Sequence, residues 1–72
     1  MLNLPIYNNT KLRLAIEFGT VVSETAQKMN VEITPEIMER AEKIIINELR
    51  TRSAQQVAND MIGIILSVFE PN

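Results

Sequence analysis

The chain has 72 residues, a formal charge of −2 and an isoelectric point near 5.0, with neither cysteine nor histidine. That length suits one domain near the lower limit for an unaided core, and disulfides and thiolate metal sites are excluded as its support. The commonest metal ligand and the commonest general base at neutral pH are missing with histidine, and the acidic balance gives no general attraction to nucleic acid or anionic lipid. Apolar residues make up 46% of the chain, too many for a disordered segment.

The first nine residues alternate, with Leu2, Leu4 and Ile6 on one side and Asn3, Pro5 and Tyr7 on the other. Period two with a proline predicts an extended arm over 1–9, ahead of a single helical domain over 10–72. The N-terminus lacks the basic and long apolar regions of a secretion signal, so a cytoplasmic location is expected and the sequon Asn8-Asn9-Thr10 reads as coincidence.

Asn8, Asn9 and Thr10 offer capping side chains for a first helix over about 10–29. Arg13, Glu17, Thr20, Glu24 and Gln27/Lys28 form its solvated stripe, with Arg13–Glu17 and Glu24–Lys28 spaced as i,i+4 ion pairs. Leu14, Ala15, Phe18, Val21, Val22, Ala26 and Met29 lie opposite, while Leu12 and Ile16 fall off that face. Gly19 costs up to ~1 kcal/mol against alanine in a helix, and a close helix crossing is one reason to keep it.

Thr34-Pro35-Glu36 is a helix start, with a threonine cap, a proline at the first turn and a carboxylate at the positive dipole end. The second helix runs over about 35–51, with Met38, Ala41, Ile45 and Leu49 inward and Ile46 on the far face beside Glu39, Lys43 and Arg50. Ser53-Ala54-Gln55-Gln56 reads as a capping box. It favours a break near Arg52–Ser53, and a third helix over about 54–70, above one continuous helix. The fold expected is all-α: a small bundle of two to three helices with an extended N-terminal arm, completed by oligomerisation.

No constellation carries catalysis. Ser23 and Lys28 sit on a solvated face, and Glu36, Glu39 and Glu42 alternate with Arg40 and Lys43 rather than facing inward as metal-binding carboxylates do. A non-catalytic protein with no cofactor, no metal and no small-molecule substrate is expected. Gln56-Val57-Ala58 followed by Gly63-Ile64 resembles the turn of a helix-turn-helix, but the gap is one residue too long and Ile65–Phe69 offers no donors to bases. Arg40, Lys43 and Arg50 share a stripe on the second helix with Arg52 nearby, which defines an alternative function: a small dimeric nucleic-acid-binding transcriptional regulator.

The strongest signal lies at the end of the chain. From Ser53 to Asn72 there is no lysine or arginine, and Met61 to Phe69 is almost wholly apolar. The run is far shorter than the ~20 residues that span a bilayer. The helix's polar side (Gln55, Gln56, Asn59, Asp60) lacks the basic groups of a membrane-surface helix. Met61, Ile62, Ile65, Leu66 and Phe69 are therefore the expected protein interface, with Val57 and Val68 shared with the core. Burying five such side chains would supply on the order of 10 kcal/mol before association costs. The chain reads as a helical protein–protein interaction module (an adaptor, regulator or inhibitor of a larger protein) that self-associates through its C-terminal helix as a dimer or higher oligomer.

Overall fold

The computed structural model describes residues 9–70, and these form four helices: α1 (Asn9–Lys28), α2 (Pro35–Thr51), α3 (Ala54–Asn59) and α4 (Met61–Phe69). Among the described residues there is no strand. The arm expected over 1–9 lies outside them except for Asn9, which opens α1.

Each helix boundary has a local chemical cause. At the end of α1, Asn30 takes a left-handed backbone with φ 56°. The Asn30 N–H donates to the Gln27 carbonyl at 3.2 Å, and the Val31 N–H donates to the Ala26 carbonyl at 2.9 Å. This pair of bonds is the Schellman closure, which satisfies carbonyls that the helix itself leaves open. Asparagine serves there because its short polar side chain tolerates the left-handed region better than most. Thr34 then caps α2, its hydroxyl accepting from the Ile37 N–H at 3.3 Å, with Pro35 in the first turn.

The break at Arg52–Ser53 is formed as the capping box predicts. Both Arg52 and Ser53 have extended backbones. The Ser53 hydroxyl accepts from the Gln56 N–H at 3.2 Å, while the Ser53 N–H donates to the Gln56 side-chain oxygen at 3.1 Å. What the sequence presents as one helix over 54–70 is two. Asp60 sits at φ −100°, ψ 10°, and its N–H is shared between the Gln56 and Val57 carbonyls at 3.1 and 3.2 Å. Such sharing is usual at a terminating helix turn. α4 starts immediately afterwards, with the Ile64 N–H donating to the Asp60 carbonyl at 3.0 Å.

α1 and α2 pack as an antiparallel pair, the start of α1 lying beside the end of α2, and α3 and α4 lie against both. Phe18, Val22, Leu49, Val57 and Val68 are sealed at the centre, joined by Ala15, Ala41, Ile45, Ile64 and Ile65. No polar or charged residue is buried among the described residues. Two methionines read as inward, Met29 and Met38, are instead exposed: Met29 falls just past the end of α1, and Met38 borders the groove between α1 and α2.

Gly19 does not mark a close helix crossing. A Cβ built there meets nothing within 4 Å, and the same holds for Gly63. Glycine at mid-helix then carries its entropic cost without a packing return. Gly19→Ala should raise stability by about 0.5–1 kcal/mol in a urea titration. Asn30→Ala should lower it by about 1 kcal/mol, because alanine tolerates the left-handed backbone less well than asparagine.

Candidate functional site

α4 is where burial and exposure diverge most sharply along a single helix. Ile64, Ile65 and Val68 face the core, Met61 and Phe69 pack partly against it, and Ile62 and Leu66 stand outside at 76% and 49% exposure. The five residues expected as one interface are thus divided. Ile65 belongs to the core, Met61 and Phe69 form shoulders, and Ile62 and Leu66 make an exposed ridge at i,i+4 spacing on one side of the helix. Val57 and Val68, read as shared with the core, are both fully buried.

The split follows from helix geometry. With about 3.6 residues per turn, an apolar run of nine residues puts side chains all round, and only the arc facing α1 and α2 is covered. Complete burial of a large aliphatic side chain is worth roughly 1.5–3 kcal/mol. Scaled by the exposures of Ile62 and Leu66, the ridge alone would contribute roughly 2–4 kcal/mol. That is well below the figure for five residues.

A second apolar surface lies across the α1–α2 pair. Ala15, Gly19 and Ala41 line a shallow groove there, with Met38 and Glu42 on the α2 side. Helical spacing sets Leu12 and Ile16 on the same stripe of α1 as Gly19, and they are 36% and 58% exposed. Ile46 follows Glu42 at i+4 on α2 and is half-buried. Leu12, Ile16 and Ile46 each fall off their helix's core face in the sequence. What the sequence did not convey is that the antiparallel pairing of α1 and α2 gathers them on one side.

Three of the four basic residues offered for nucleic-acid contact already have partners in the fold. Arg40 Nη1 donates to the carbonyls of Val68 at 3.3 Å and Glu70 at 2.9 Å, closing the C-terminus of α4. Lys43 pairs with Glu39 at 3.3 Å on the surface. Arg52 holds Glu48 at 3.2 Å and also Asp60, tying the end of α2 to the α3–α4 junction. The Arg52 guanidinium is held above its ordinary pKa by the hydrogen bonds it donates, that to Asp60 first and that to Glu48 second. Arg50 is exposed. Lys11 acts like Arg40 at a different helix end, its Nζ donating to the Leu49 carbonyl at 2.7 Å. The expected ion pairs Arg13–Glu17 and Glu24–Lys28 are not closed, whereas the equally spaced Glu39–Lys43 pair is.

Glu36, Glu39 and Glu42 of α2 do not converge. Glu39 is engaged by Lys43, Glu42 lines the α1–α2 groove, and Glu36 is exposed at the helix start. Among the described residues no group of three carboxylates is placed to hold a metal ion, and no helix is long and apolar enough to cross a membrane. The chain matches no protein-family model, no curated protein and no solved structure.

The division of α4 has a direct test. Ile65→Ala removes an enclosed side chain and should cost about 2–4 kcal/mol in chemical denaturation. Ile62→Ala should change stability by no more than about 0.5 kcal/mol.

Proposed function

We propose that this chain is a non-catalytic helical interaction module, an adaptor, regulator or inhibitor of a larger protein, that also self-associates. Its partner-binding element is the α4 ridge, with Ile62 and Leu66 inserted into an apolar groove and Met61 and Phe69 as flanking contacts. The single observation behind this reading is that Ile62 remains 76% exposed on a helix lacking any lysine, arginine or glutamate. A lone exposed aliphatic residue is ordinary, but a pair at i,i+4 spacing on a helix whose other face fills the core is the pattern of helix-in-groove docking.

The absence of cysteine and histidine from the sequence supports a non-catalytic role, because the usual nucleophile–base pairs cannot be assembled. Nucleic-acid binding is the weaker reading. Arg40 and Arg52 are committed to helix ends and junctions, so engaging phosphates would require giving up contacts of the fold.

Affinity capture from the native cell, comparing the natural chain with Leu66→Glu and Ile62→Glu, tests the reading. Both variants should retain helicity by circular dichroism, because the replaced side chains lie outside the core. The captured larger protein should be lost with either charge, since inserting an unpaired carboxylate into an apolar groove costs several kcal/mol. Retention of the same partner by both variants would sink the ridge assignment.

A further inference from the structure

The face across α1 and α2 carries a charge arrangement that the α4 ridge lacks. Glu42, Ile46 and Arg50 occupy one stripe of α2 at successive i,i+4 positions, with the apolar residue midway between opposite charges. Neither Glu42 nor Arg50 has an ion-pair partner within the described chain. Glu42 also lines the groove formed by Ala15, Gly19 and Ala41, and Arg50 is exposed. The neighbouring charges on α2, Glu39 and Lys43, already neutralise one another.

Such a stripe is self-complementary under one operation. If two copies of α2 cross antiparallel with a two-fold axis at Ile46, position 46 + k on one helix meets position 46 − k on the other. Ile46 meets its own copy, Glu42 meets Arg50, and Arg50 meets Glu42. A two-fold interface requires this reciprocity, in which residue i contacts j and j contacts i. In a parallel arrangement Glu42 would face its own copy, and so would Arg50, placing like charges together. Leu12 and Ile16, on the adjoining stripe of α1, and Met38 at the groove edge supply exposed apolar surface beside the axis. The open space over Gly19 leaves room for an approaching side chain.

Resting on the reading of the chain as a self-associating module, we infer that its occupant on the α1–α2 face is a second copy of this chain, joined by an antiparallel two-fold contact centred on Ile46 with reciprocal Glu42–Arg50 pairs. This relocates self-association from the C-terminal helix to the face across α1 and α2. The α4 ridge is then free in each subunit, so a dimer displays two ridges to larger partners.

Sedimentation of the natural chain, Glu42→Arg, Arg50→Glu, their equimolar mixture and Ile62→Glu tests the inference, with circular dichroism to verify that each remains helical. The natural chain and Ile62→Glu should sediment as dimers. Each charge reversal sets two like-charged pairs across the axis and should weaken dimerisation on the order of tenfold to a hundredfold. Mixing the two reversed chains should restore the dimer. In that heterodimer the two arginines of the Glu42→Arg chain face the two glutamates of the Arg50→Glu chain, so every pair across the axis is again of opposite charge. A monomeric natural chain at high micromolar concentration overturns the inference. So does persistence of the dimer in both reversals, or failure of the mixture to recover it. Loss of the dimer in Ile62→Glu alone also overturns it, by returning self-association to α4, and leaves partner docking at the ridge to be judged by capture.

Discussion

Burial of the inner arc of α4 against α1 and α2 is the constraint on which this small domain depends. Ile64, Ile65 and Val68 meet Phe18, Leu49 and Val57 in a core that contains no polar side chain among the described residues. A chain of this size without disulfides has few other means of offsetting the entropy of ordering its backbone. Removing α4 would expose both α1 and α2 at once, because its inner arc is packed against the two together.

An all-apolar core places the polar problem at the helix ends, where carbonyls and amides lack partners within the helix. The chain solves it in two ways. Two N-termini, those of α2 and α3, are satisfied locally, by Thr34 and by the Ser53–Gln56 box. Two C-termini are satisfied from a distance, with Lys11 reaching the Leu49 carbonyl and Arg40 reaching those of Val68 and Glu70. These cations sit where the helix dipole favours positive charge. They also pin the antiparallel register of α1 with α2 and of α2 with α4. Arg40, which suggests an interaction stripe in one dimension, thereby becomes an internal fastener in three.

Exposed apolar surface is distributed rather than concentrated. The Ile62–Leu66 ridge is carried by α4, whereas Leu12, Ile16 and Met38 are carried by α1 and α2. The faces differ in their surroundings. The α1–α2 face is bordered by unpaired charges of both signs, which favours a defined register. The α4 helix has no charge of its own and favours a shaped groove.

Much of the secondary structure was legible because its signals act within a few residues. The Thr34-Pro35-Glu36 start and the Ser53 box marked the beginning of α2 and the break before α3, since a cap hydroxyl bonds to an amide only three positions on. Helical periodicity likewise placed Phe18, Val22, Ala41, Ile45, Leu49 and Val57 inside. The all-α class follows from such local chemistry. Tertiary structure alone decided the rest. The interruption at Asp60 coincides with its bridge from Arg52, a contact between separate helices. Ile65 became core while Ile62 stayed outside because α1 and α2 cover only one arc of a helix apolar all round, and no period in the sequence identifies that arc. The abundance of apolar residues in α4 was written in the sequence; which of them remain available to another protein depended on where distant helices came to rest.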